Sequence, residues 1–152
     1  MTDARVGIIV GSTSDLEIMK ACTEQLERFE VPTELTVASA HRNPERVHEW
    51  ATTARRRGLQ VIIAAAGKAA HLAGAVAAYT SLPVVAVPIK TSDLGGLDSL
   101  LSTVQMPSGV PVACVAINGA KNAAILATQI IAAGDPALVQ VLEDFKRELA
   151  QG

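Results

Sequence analysis

The sequence predicts an α/β fold: a doubly wound, flavodoxin- or Rossmann-like parallel sheet forming the middle layer of a three-layer αβα sandwich. Two observations carry this. Four short apolar runs and one mixed strand-like segment recur along the chain, and a segment of helical period follows each of them. Strands that are apolar on both faces belong to a sheet covered on both sides. Right-handed strand–helix–strand crossovers then divide the helices between the two faces.

Val6-Gly7-Ile8-Ile9-Val10 is the first such run, and Gly11 ends it. Leu16, Met19, Cys22, Leu26 and Phe29 then repeat at three- and four-residue spacing, one face of a helix. Ser14, with Glu17 three residues on, predicts a capping box at its start. A second strand is expected over 33–37. Asn43 and Pro44 supply a cap and a first-turn proline for a second helix, with Val47, Trp50 and Ala54 facing inward. The third strand is 61–65, followed by a helix of small residues over 69–79. The fourth is 84–87, followed by a Ser-, Asp- and Gly-rich loop and a short helix over 97–103. A fifth strand is expected over 112–116. The helix over 122–133 is so apolar that it predicts burial on all sides, other subunits included, and Gly134 terminates it. Pro136 opens a final amphipathic helix carrying Leu138, Val141, Leu142, Phe145 and Leu149 on one side.

A chain of 152 residues is read as one domain, 1–152, large enough to be stable without a metal or disulfide staple. Charged residues are only 18% of it, against an average near a quarter, which suggests surface buried between copies of the chain. The net charge is −2 and the basic residues form no stripe, so nucleic acid is not an expected partner. Cys22 and Cys114 read as small buried hydrophobes. The segment 1–5 leads straight into the first strand with no signal pattern, and no apolar run is long enough to span a bilayer. A cytoplasmic protein that does not engage a membrane is therefore expected.

Three loops carry candidate chemistry, each after a strand. Gly11-Ser12-Thr13-Ser14-Asp15 offers a tight turn, hydroxyls and free N–H groups at a helix start, which suit a phosphate or a ribose; the same residues also serve as a plain helix cap. It is neither a Walker loop nor a dinucleotide fingerprint. In Ser39-Ala40-His41-Arg42-Asn43-Pro44 a guanidinium at a helix start can grip an anion, and His41 is a proton carrier or a hydrogen-bonded wall. In the third, Ala64 to Gly74, small residues permit close approach of a ligand and His71 is the single imidazole, a side chain suited to acid–base work. Lys68 is either an anion contact or solvated. No spacing of His, Cys, Asp and Glu resembles a metal site. From the residues alone the reading is a phosphate-containing metabolite and proton-transfer chemistry at the carboxyl ends of the strands.

At G-S-T-S-D, S-A-H-R-N-P and A-G-K-A-A-H-L-A-G the chain resembles the N5-carboxyaminoimidazole ribonucleotide mutase family. Residues 97–112 are similar to that family's G-x-D-S-L-x-S-x-x-Q-M-P-x-G-x-P-V segment, and Asn122-Ala123-Ala124 to its closing motif. The resemblance implies a homo-octameric isomerase of purine synthesis that moves a carboxylate from N5 to C4 of an aminoimidazole ribonucleotide through a trapped carbon dioxide, with no cofactor or metal. It assigns general acid–base work to His71. Gly11, Ser12 and Asp15 would hold the ribose-phosphate portion, Arg42 the phosphate, and Ser39 and His41 the pocket wall. Gly67, Lys68 and Leu72 would complete the pocket, with the small residues from Ala64 to Ala70 lining the carbon dioxide site. Gln105-Met106-Pro107 would approach from a neighbouring subunit.

The chain departs from the family pattern at five places. Ala65 and Lys68 replace glycines, Ala73 a proline, Ala75 a methionine and Asn43 a threonine. Lys68 keeps open a direct aminoimidazole ribonucleotide carboxylase. Closure of the pocket by the glycine replacements would leave a catalytically impaired scaffold of the same fold.

Overall fold

A strand that is apolar at every position is stable only between two layers, and β1 (Val6–Val10) is buried along its whole length. In the computed structural model, which describes residues 3–152, β1 pairs in parallel with β2 (Thr33–Val37) on one side and β3 (Val61–Gly67) on the other. β4 (Val84–Ile89) and β5 (Ala113–Cys114) extend the sheet beyond β3, giving the order β2-β1-β3-β4-β5. Met1 and Thr2, at the head of the expected lead-in, lie outside the described residues.

Alternation along the strands sends side chains to two separate cores. Val6, Ile8, Val10, Val61 and Ile63 meet α1 (Leu16–Arg28), α5 (Ala120–Ala132) and α6 (Pro136–Ala150) on one face. Ile9, Ile62, Ala64 and Ala86 meet α2 (Pro44–Thr53) and α3 (Leu72–Tyr79) on the other. α4 (Leu97–Val104) packs against β4 and β5 near the end of the sheet. The doubly wound parallel sandwich expected from the sequence is the fold observed. No helix among the described residues is long and apolar enough to cross a membrane.

Four local expectations need correction. The Ser14–Glu17 capping box does not form: residues Thr13–Asp15 make a 3-10 turn capped by Ser12, whose Oγ accepts from Ser14 N, and Asp15 precedes α1 without a side-chain cap bond. β5 is two residues long rather than five. α3 starts at Leu72, because 68–71 is spent in a turn at the mouth of the site. α5 is covered by α1, α6 and the sheet of its own chain, while Lys121, Asn122 and Gln129 are exposed, so its composition needs no second subunit. Asn43 does cap α2, accepting from Arg46 N at 3.2 Å. Cys22 is fully buried, which pushes its thiol up to about 12, and Cys114 is half-buried; both are free.

Gly7 is the tightest point of β1: a Cβ there would lie 2.6 Å from Leu59 Cδ1 and 2.9 Å from the Trp50 ring. Gly7→Ala should cost about 1–3 kcal/mol by overpacking. Gly134→Ala, with nothing within 4 Å of the added methyl, should be neutral or slightly stabilising. Urea denaturation of the two variants checks this; equal stabilities would contradict the packing described.

Candidate active site

The strand order reverses at β1: the chain leaves it to lay β2 on one side and returns to lay β3 on the other. Crevices form outside the carboxyl ends of strands at such a switch. Two backbone bonds hold the strand ends together there. Gly11 N donates to Ala65 O at 3.1 Å, and Ala38 N donates to Val10 O at 2.9 Å. Above them opens a cleft of about 520 Å³ lined by the three loops that follow β1, β2 and β3.

In the first loop, Ser12 Oγ is 3.0 Å from Ser14 Oγ, and Asp15 is buried beneath them. Burial raises the Asp15 carboxyl above the ordinary aspartate value, partly offset by a backbone hydrogen bond at Ser12. A methyl at Gly11 would make only ordinary contacts, the nearest being Ala66 Cβ at 3.7 Å. Packing therefore does not demand glycine there, and what its absent side chain keeps clear is the cleft floor.

The second loop is a turn closed by Asn43 N donating to Ser39 O at 2.8 Å, with Ser39 Oγ accepting from Arg42 N at 3.2 Å. Arg42 Nη2 donates to Gly11 O at 3.2 Å, which ties this loop to the first and leaves the rest of the fork free. His41 reaches across to the third loop. Its Nε2 stands 2.7 Å from His71 Nδ1, with the two rings nearly perpendicular at 89°. At that distance one nitrogen donates and the other accepts, so the two imidazoles hold complementary tautomers.

The third loop is braced from α4. Ser102 Oγ accepts from Ala70 N at 2.9 Å, and Thr103 Oγ1 donates to Ala70 O at 3.3 Å. Ser99 Oγ donates to Ile89 O at 2.8 Å and so anchors α4 to the end of β4. The hydroxyls in 97–104 thus position the turn that carries His71. Lys68 in that turn is left-handed, φ 56°, and its ammonium pairs with Asp93 Oδ2 at 2.6 Å.

All ten expected site residues line this one cleft: Gly11, Ser12, Asp15, Ser39, His41, Arg42, Gly67, Lys68, His71 and Leu72. Of the small-residue wall, only Ala66, Gly67 and Ala69 reach it; Ala64, Ala65 and Ala70 are buried elsewhere. The methyl that replaces glycine at Ala65 lies inside the sheet and leaves the cleft open. Sequence reasoning missed Thr91, which follows β4 and lines the cleft. It packs so closely on Gly67 that a Cβ there would fall 2.9 Å from Thr91 Cγ2, and no local pattern announces that contact. Met106 packs on α3 of its own chain, its Sδ 3.0 Å from where a Gly74 Cβ would stand. No group of three or more His, Cys, Asp or Glu among the described residues is arranged to hold a metal ion.

Comparison with known proteins gives this geometry a family. The N5-carboxyaminoimidazole ribonucleotide mutase of Pyrococcus abyssi is 56% identical to this chain, over 95% of this chain and 83% of that protein. The phosphoribosylaminoimidazole carboxylase of Schizosaccharomyces pombe is 59% identical over 92% of this chain, which spans 25% of that longer protein. The crystal structure of Treponema denticola PurE superposes with a TM-score of 0.88 at 27% identity, covering 97% of this chain and 92% of that one. The family model described as AIR carboxylase matches residues 5–152, and the chain belongs to that family.

Proposed function

We propose that this chain is an isomerase of purine biosynthesis that converts N5-carboxyaminoimidazole ribonucleotide to 4-carboxyaminoimidazole ribonucleotide. The observation that carries the chemistry is the imidazole pair at the mouth of the switch-point cleft, His41 Nε2 to His71 Nδ1 at 2.7 Å. Loss of carbon dioxide from N5 requires a proton on that nitrogen, and attack of C4 on the carbon dioxide releases a proton from C4. The two steps cancel, so the site needs one proton on loan and no cofactor.

A coupled pair of imidazoles can lend and recover that proton at one atom. His71 Nε2 gives it to N5 as carbon dioxide leaves and takes back the one released from C4, while the bridging proton moves between His41 Nε2 and His71 Nδ1 to spread the change in charge over both rings. The contact between the rings supports extending the acid–base role expected of His71 to the pair. Ser12 and the buried Asp15 carboxylate accept from ribose hydroxyls, and Arg42 takes the phosphate with the part of its fork that Gly11 leaves free. Ala66, Gly67 and Ala69 give a close wall that limits escape of the gas.

The relatives named as mutases match over most of their own length, whereas this chain is a quarter of the carboxylase relative. Incubation with N5-carboxyaminoimidazole ribonucleotide should give product, while aminoimidazole ribonucleotide with bicarbonate should react slowly; rapid turnover of only the second mixture would make the chain a direct carboxylase, and turnover of neither a scaffold. His71→Asn and His41→Asn should each lower kcat by about 10²–10⁴-fold with substrate binding largely kept. Undiminished turnover in either variant would remove that ring from the relay.

The assembly is inferred to be a homo-oligomer, the octamer expected from the resemblance, in the cytoplasm. Leu97, Leu101 and Val104 form a stripe at helical spacing along α4, Leu94 precedes it in the turn before the helix, and all four are 44–66% exposed in the single chain. A stripe of that kind on a charge-poor chain suits contact with further copies. Leu97→Glu combined with Leu101→Glu should shift light scattering to smaller species. A wild-type chain that runs as a monomer would contradict the assignment.

A further inference from the structure

Lys68 stands just past the end of β3 in the left-handed region that favours glycine. Backbone held against its preference gathers where ligands are bound. Packing gives little return for it here. The Lys68 side chain is 68% exposed, and its ion pair with Asp93 lies open to solvent as well. An exposed pair adds little to stability and is readily exchanged for another anion. Asp93 nonetheless holds the Lys68 ammonium above the ordinary lysine range, so it stays cationic at neutral pH.

The position of this cation matches a demand of the reaction proposed above. That substrate carries two anions, a phosphate at one end and the migrating carboxylate on the imidazole at the other. The cleft is lined by two permanent cations: Arg42, on the loop after β2, and Lys68, on the loop after β3 that also carries His71. Thr91, packed against Gly67 next to Lys68 in the chain, also lines the cleft.

We propose that Lys68 recognises the migrating carboxylate, and that Asp93 is its built-in competitor: the ammonium leaves Asp93 when the carboxylated nucleotide binds and returns to it when carbon dioxide forms. The return partner resolves a conflict. A cation fixed on the carboxylate would stabilise the ground state against loss of carbon dioxide. One with a second anion a short swing away gives the carboxylate up more easily. The inference rests on the mutase reading.

Calorimetric titration with two nucleotides tests it, using 4-carboxyaminoimidazole ribonucleotide and the uncarboxylated aminoimidazole ribonucleotide. Lys68→Gly relieves the backbone and should weaken binding of the carboxylated nucleotide about tenfold, and Lys68→Gln should do the same without the change in backbone freedom. Asp93→Asn, which frees the ammonium, should tighten it several-fold. All three variants should bind the uncarboxylated nucleotide within about twofold of wild type. Equal losses for both nucleotides, or no loss for either, would overturn the role of Lys68. Unchanged affinity in Asp93→Asn would overturn the competition. A wild-type protein that binds neither nucleotide would fail the mutase reading itself, and this inference with it.

Discussion

The site hangs from the place where β1 is flanked by two parallel strands, β2 on one side and β3 on the other. β2 and β3 are separated in sequence by α2, yet their carboxyl ends are pinned to the same end of β1 by Ala38 N to Val10 O and Gly11 N to Ala65 O. Those bonds are ordinary backbone hydrogen bonds. Their consequence is that a loop beginning at Ser39 and a turn ending at His71 emerge side by side over the loop that starts at Gly11. The hydrogen bond between His41 and His71 follows from that constraint, as does the bond from Arg42 to Gly11 O. The parallel sheet is in this sense the scaffold on which the two imidazoles meet.

Support from behind is as specific as the strands in front. α4 looks like a short amphipathic connector, but its hydroxyls reach inward. Ser99 grips the end of β4, while Ser102 and Thr103 hold the backbone at Ala70, one residue before His71. The polar groups of this helix thus fix the turn that carries His71, and its apolar stripe faces outward. That inversion of the usual arrangement lets the segment orient the turn from one side while an apolar stripe stays exposed on the other.

The layered α/β fold was legible because four of the five strands are apolar throughout, and a doubly covered sheet leaves no other place for them. The three loops were legible because each follows an expected strand and carries Gly, Ser, Arg or His where a helix begins. What escaped was set by contacts distant in sequence. His41 and His71 are 30 positions apart, and no spacing rule announces that their rings meet. Thr91 reaches the cleft only because β4 lies beside β3. The capping box failed at Ser14 because Ser12 had already taken the cap of a 3-10 turn, and α3 lost its first residues to the turn that presents His71. Composition overstated the burial of α5: Lys121, Asn122 and Gln129 are exposed, and the buried side is covered by α1, α6 and the sheet of the same chain. Lys68 stood out as a departure from the family's glycine. Its left-handed backbone gives the physical reason glycine is usual there.

The account depends on a single proton held between two rings. The most direct measurement is the ¹⁵N spectrum of histidine-labelled protein, in which protonated and bare ring nitrogens are separated by their shifts. Complementary tautomers joined by one N–H···N bond are expected, with His41→Asn redistributing the tautomers of His71. Two rings that each sample their tautomers independently, or a His71 signal indifferent to the loss of His41, would contradict it.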